Sequence, residues 1–239
     1  MWFGREAGNA YVYGARRRLQ DRVFPMPAEA ETFYGSCGFP HDADPDLSVQ
    51  RPDVTRLRRG FATISRWDGG RGVLTKRIAN NRRIHLLSEA FPDARFIEIV
   101  RDGRAVAVSL SAVDWWEGSH IWWYGGTPSQ WRAEGRDPWE LCARNWVEEV
   151  QAVRQGLTQV GPDRVLSLRY EELVRDPASV VWEAMVFCGL DPAAAGWRRS
   201  LGQVRFPDQN ERWRSRISPA AHDVIEAVQG AELRRYGYL

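Results

Sequence analysis

FPDARFIEIVRDGRAVAVSL, residues 91–110, holds the change of periodicity that decides the fold. Pro92-Asp93 interrupts the helical spacing before it, and RFIEIV is a compact apolar run of the kind that forms a strand. From Arg104 to Val113 the apolar spacing turns helical. A strand running straight into a helix leaves Arg101 at the strand end. Ser109 lies eight residues further on, about two helical turns, so it can share a face with the helix start. A guanidinium offers a bidentate fork and a serine hydroxyl a neutral donor, a sensible pair for a terminal phosphate. The same spacing fits a strand-end ion pair between Arg101 and Asp102, with Ser109 incidental. Spacing alone leaves both readings open.

Outward from this stretch, residues 4–20 and 53–66 have mixed apolar and charged spacing that suits helices, with a Pro-, Gly- and Asp-rich irregular segment between them. A short apolar run, Gly72–Thr75, is followed by a helical pattern through NNRRIHLLSEAF. Residues 114–139 set Trp115, Trp116, Trp122, Trp123, Trp131 and Trp139 among Gly, Pro and Ser and read as irregular. Helical spacing returns from Pro138 to Gln159. The turn signal Gly161-Pro162-Asp163 then precedes a second strand, RVLSLRY, and two helical stretches, 177–188 and 218–235, follow. Strands alternating with helices predict an α/β fold with a mostly parallel sheet flanked by helices. Such folds take ligands at the carboxyl ends of the strands, where the following helices point their N-termini. That places an anion site at Arg101–Arg104.

Composition narrows the function. A chain of 239 residues is expected to form one domain with a substantial core. Its net charge of +2 argues against nucleic acid or an acidic membrane surface as partner. Cys37, Cys142 and Cys188 are too few and too scattered for a disulfide framework or a zinc site, and read as buried thiols of a reducing compartment. With no leader-like start and no long apolar span, the expected location is cytoplasmic. Of 33 basic residues one alone, Lys76, is lysine. In a chain whose default cation is arginine, that choice hints at a need for a compact point charge, although a solvated surface position fits the count as well.

FPDARFIEIVRDGRAVAVSL resembles the 3′-phosphate-binding segment of the P-loop-type sulfotransferases, which use 3′-phosphoadenosine 5′-phosphosulfate. LTKRIANN (74–81) is similar to that family's strand-end lysine and the turn after it. RVLSLRYEELVRDP (164–177) resembles its strand, tyrosine and acidic helix, and ERWRSRISP (211–219) its basic Arg-Trp segment. The four occur in the family's order over residues 72–239. The resemblance implies a P-loop NTPase-like sulfotransferase fold, with a mostly helical or irregular part at 1–71 and a nucleotide-binding α/β part at 72–239. It implies that Arg101 and Ser109 bind the nucleotide 3′-phosphate and that Tyr170 packs near the adenine. Arg212 adds charge near the phosphates, and Trp213 shapes that loop. Lys76 stabilises charge on the leaving phosphate oxygen as sulfonate departs, an electrostatic form of catalysis. The acceptor is a hydroxyl or amine of a small molecule, glycan or lipid, and no metal is required.

Two departures accompany the match. The family's 5′-phosphosulfate loop, of the form PRSGTT leading into a helix, does not occur. DGGRGVLTK (68–76) has no Gly-Lys-Ser/Thr ending and reads as a turn before a strand. The chain is therefore expected to lack its first strand and that loop, through a mis-assigned start or a truncated gene. The family's cytosolic branch has a histidine two residues after the lysine, where this chain has Ile78. Other branches use a glutamate shortly after the first helix, a place that Glu6 in GREAGNAYVYG can fill as general base. Glu29, Glu31 and His120 compete for that role. His41, His85 and His222 show no partner spacing. The Trp-rich stretch either stacks on an acceptor or fills a core. A degenerate nucleotide- or glycan-binding relative without turnover is the alternative function. A P-loop kinase is disfavoured by the missing Gly-Lys-Ser/Thr motif.

Overall fold

The computed structural model describes residues 31–39, 52–67, 72–193, 197–202 and 211–239. The helix expected over 4–20 lies outside them. The chain divides into two compact units, Met1–Pro92 and Asp93–Leu239.

In the first unit, helix α1 (Glu31–Ser36) and helix α2 (Val54–Trp67) are followed by a 3₁₀ turn (Ile78–Arg82) and helix α3 (Ile84–Ala90). The α2 boundaries lie one residue from those expected. Tyr34, Cys37, Phe39 and Leu57 are fully buried. Around them Phe33, Tyr34, Phe39, Phe61 and Phe91 meet edge-on or tilted, with ring centroids 5.2–6.3 Å apart, the spacing that aromatic quadrupoles favour. Arg58 of α2 donates to the carbonyls of Glu89 and Ala90, satisfying the exposed end of α3. The strand that the resemblance implies ahead of Lys76 does not form: residues 72–77 carry no ladder. Leu74 is 90% exposed, so the apolar run has no buried face to drive pairing.

The second unit is α/β. Strand β1 (Phe96–Val100) pairs in parallel with β2 (Val165–Arg169), from Phe96 opposite Val165 to Val100 opposite Arg169. Among the described residues these two strands make up the sheet. Parallel pairing requires a long crossover. Here it carries helices α4 (Gly103–Ser111), α5 (Pro128–Ala133) and α6 (Pro138–Leu157). After β2 come α7 (Tyr170–Arg175), α8 (Pro177–Phe187), α9 (Trp197–Gly202) and α10 (Pro219–Arg235).

Helix α4 starts at Gly103, a residue before the helical spacing begins, because the Asp102 side chain caps it by accepting from the Arg104 N–H. It packs against α6 and α10. Gln229 of α10, fully buried, fastens the three helices by donating to the carbonyls of Gly103 (3.0 Å) and Ala143 (3.3 Å). Ala105, Ala107, Val108, Leu141, Trp213 and Ile225 belong to the core between them. Helix α5 was not expected. Its start is a capping box in which the Thr127 hydroxyl accepts from the Gln130 N–H and the Gln130 side chain accepts from the Thr127 N–H.

Candidate functional site

The register of the sheet places two of the predicted residues together. Val100 and Arg169 are the last pair of the ladder, so Arg101 and Tyr170 are the residues that leave it side by side. Both are half-buried, and the Arg101 guanidinium carbon lies 4.7 Å from the Tyr170 ring centroid. That is cation–π distance. Tyr170 also opens α7, so its backbone is fixed as strand gives way to helix. Ser109 sits on α4, exposed, in the second turn after the helix start.

The neighbouring carboxylates are already engaged. Asp102 gives both oxygens to Arg104, at 3.0 Å to Nε and 2.8 Å to Nη2. The strand-end ion pair considered for Arg101 and Asp102 thus forms with the arginine two residues on. Arg104 also donates to the carbonyl of Tyr238 (3.0 Å). The hydrogen bond that Arg104 donates to Asp102 holds its pKa above the ordinary guanidinium value, against the opposing effect of burial. Glu171, next to Tyr170, accepts from the Asp102 backbone N–H (3.1 Å) and from the Tyr238 hydroxyl (2.8 Å). Burial, reinforced by Glu171, pushes the Tyr238 hydroxyl well above its usual pKa and keeps it a donor. With the Asp102 N–H engaged by Glu171, that backbone donor at the strand end is closed to an anion.

Arg104, expected only as the far edge of the anion site, organises the remaining basic segment. Trp213 is buried, with Arg104 at 5.0 Å and Arg214 at 4.7 Å from its ring and His222 stacked on it at 5.6 Å. This clamp docks the 3₁₀ turn Arg212–Ser215 onto α4. Arg212, the first residue of that turn, is exposed. The sequence signal for the clamp was the Arg-Trp-Arg pattern. Its partner Arg104, far away in the chain, had none.

Lys76 belongs to the first unit and is exposed between two anchored neighbours. On one side, Thr75 Oγ1 shares a 3.0 Å hydrogen bond with the buried Tyr34 hydroxyl, which also accepts from Asn80 Nδ2 (3.2 Å). On the other, Arg77 is buried, lies 4.6 Å over the Tyr34 ring and donates to the Phe39 carbonyl (2.9 Å). The segment is thereby held at both sides of the lysine.

Glu6, Glu29 and His41 lie outside the described residues. Glu31 is the first residue of α1, His120 is exposed, and His85 is half-buried on α3. Cys37 and Cys142 are buried and Cys188 is half-buried; all three are free thiols. Three of the Trp-rich stretch's indoles are tied to the protein: Trp122 donates to Glu149, Trp123 to Asn145 and Trp131 to the Asp137 carbonyl. Among the described residues no helix is long and apolar enough to cross a membrane, and no His, Cys, Asp and Glu side chains group as a metal site.

A parallel α/β unit with basic and aromatic side chains where its strands end, just ahead of a helix, is the class of domain that takes ligands at that edge. Comparison with known proteins sharpens this. The model of the Sulfotransferase family matches residues 11–194. Among solved structures, the sulfotransferase domain from the curacin biosynthetic pathway superposes with a TM-score of 0.51 at 14% identity, over 77% of this chain and 69% of that one. The sulfotransferase domain of the Synechococcus PCC 7002 olefin synthase gives 0.48 at 23% identity, over 76% and 65%. No curated protein matches the chain. The chain belongs to the sulfotransferase family.

Proposed function

We propose that the chain, acting as a single sulfotransferase-like domain, transfers a sulfonate group from 3′-phosphoadenosine 5′-phosphosulfate to a hydroxyl or amine of a small-molecule, glycan or lipid acceptor in the cytoplasm. The observation that carries this reading is Arg101 stacked on Tyr170 where β1 and β2 end. Arg101 and Ser109 hold the 3′-phosphate, Tyr170 packs near the adenine and Arg212 adds charge at the phosphates. In the reaction the acceptor oxygen or nitrogen attacks sulfur. The bond from sulfur to the 5′-phosphate oxygen breaks, and adenosine 3′,5′-bisphosphate leaves. Lys76 steadies the negative charge on that oxygen, and Glu6 takes the acceptor's proton. No metal takes part.

The test is a comparison of two nucleotides. Adenosine 3′,5′-bisphosphate raises the melting temperature of the chain, because a ligand that binds only the folded state stabilises it. Adenosine 5′-monophosphate, lacking the 3′-phosphate, raises it far less. Equal shifts with the two would remove the 3′-phosphate site and, with it, the reading of the donor.

A further inference from the structure

A cavity of about 240 Å³ opens in the second unit, with Pro128 of α5 and Pro138, Trp139 and Leu141 of α6 among its lining. It lies below the roughly 300–1,000 Å³ of sites for drug-sized ligands, so it suits a ring or a short chain rather than a whole nucleotide. The polar groups around it are satisfied within the protein. Arg132 grips Glu117 through both terminal nitrogens, one of them at 3.0 Å, and the Ser129 hydroxyl donates to the same carboxylate at 3.2 Å. The Ser111 hydroxyl donates to the Val108 carbonyl. The Cys142 sulfur accepts from the Trp116 indole, and burial pushes its thiol up to about 12, so no thiolate forms at neutral pH. On the Trp139 side the indole N–H has no partner among the described residues, and that residue is half-buried.

The lining thus combines these apolar and aromatic side chains with Ser111, a protonated Cys142 and the mutually paired Glu117 and Arg132, and it carries no net charge. A charged ligand gains no unpaired counter-charge there and loses water, a loss that burial makes expensive. A flat uncharged group loses little and covers the faces of Trp139 and the two prolines. We propose that this cavity is a binding site for an uncharged aromatic ring or compact alkyl group, with Trp139 as its aromatic wall. The site stands apart from the donor reading and holds whether or not the chain transfers sulfonate. It also resolves the Trp-rich stretch: Trp122, Trp123 and Trp131 fasten the loop, whereas Trp116 and Trp139 line a cavity.

The experiment titrates 2-naphthol and 2-naphthoate into the full chain by calorimetry, with Ser111→Phe and Trp139→Ala alongside. Ser111 is exposed and among the residues that line the cavity, so a phenylalanine there adds bulk at the cavity without changing a core position. Native protein binds 2-naphthol at one site, and each variant weakens it by about tenfold or more, the factor that corresponds to some 1.4 kcal/mol. The naphthoate binds native protein at least about tenfold less tightly. Should Ser111→Phe fail to melt cooperatively, Trp139→Ala and the naphthoate comparison decide. Absence of saturable naphthol binding, binding indifferent to the folded variants, or naphthoate as tight as naphthol each overturns the proposal.

Discussion

Arg101 and Tyr170 stand 4.7 Å apart, guanidinium carbon to ring centroid, because each is the first residue beyond a ladder that ends at Val100 and Arg169. The pair is a product of parallel register. Slipping β2 by one residue would carry Tyr170 off the edge that Arg101 occupies and turn its side chain to the other face. This gives the guanidinium one flat, apolar support on the Tyr170 ring.

Arg101→Ala is expected to weaken binding of adenosine 3′,5′-bisphosphate by roughly 1.5–3 kcal/mol, the range for hydrogen bonds to charged groups. Tyr170→Leu retains bulk but removes the quadrupole, and is expected to cost about 0.5–1 kcal/mol. Calorimetric titration of both variants checks the order. Native affinity in Arg101→Ala would exclude this residue from the phosphate site.

Gly103 opens α4 with no room for a side chain. A Cβ there would lie 2.6 Å from Gln229 Oε1 and from the Trp146 ring. Gln229 is fully buried and Trp146 nearly so, so neither side chain has open space to retreat into. Gly103→Ala is expected to destabilise by about 1–3 kcal/mol through overpacking, even though alanine is the better helix former. Urea unfolding measures it. A neutral or stabilising result would mean that the three-helix junction is looser than its hydrogen bonds indicate.

The legible parts of this protein are those whose cause is local. Residues 91–110 announce a strand and a helix because the apolar period changes within a few positions, and β2 is announced by the turn before it. The resemblance implied a strand ending at Lys76, but Leu74 is 90% exposed and the run at 72–75 has no buried face to drive pairing. Helix α5 was hidden by its Trp, Gly and Pro content, although Thr127 and Gln130 at capping-box spacing were visible. Arg101, Ser109 and Lys76 were singled out by spacing and composition, and Tyr170 by the resemblance alone. Glu171, Gln229 and the structural role of Arg104 were not legible, because their partners are Tyr238, Gly103, Ala143 and Trp213, brought near only by the fold.

Glu232 couples stability to acid. Its carboxylate receives Arg154 at 2.5 and 2.9 Å and Gln151 at 3.1 Å. The Arg154 hydrogen bond holds its pKa below the ordinary value of 4.5, with burial opposing. A carboxyl group whose folded pKa is depressed contributes stability above its unfolded value and loses it as pH falls through the folded value. Glu232→Gln is therefore expected to lower the melting temperature at pH 7 and to flatten its decline below about pH 4.5. Thermal melts of both proteins from pH 7 to pH 3 check the slope; parallel curves would show that the pair carries no linkage.

Lys76 offers the sharpest test of catalysis, and Tyr34 shows how its segment is held. If the ammonium stabilises charge that develops only as sulfonate leaves, its removal hurts the transition state more than the bound donor. Lys76→Ala is then expected to lower kcat by about 10²–10³ with little change in donor affinity, as when one preorganised donor is removed. Lys76→Arg recovers only part, because a planar fork cannot place one ammonium at the same point. Tyr34→Phe keeps the buried ring that Arg77 covers but deletes the hydroxyl that Thr75 and Asn80 share. It is expected to lower kcat by less than Lys76→Ala and to add nothing in the double variant, since a loosened segment matters only while the lysine is there. Steady-state kinetics on the four proteins separates the possibilities. Unchanged kcat in Lys76→Ala removes the lysine from the mechanism. A full Lys76 effect with an additive Tyr34→Phe loss keeps the lysine and shows that Tyr34 acts on stability alone.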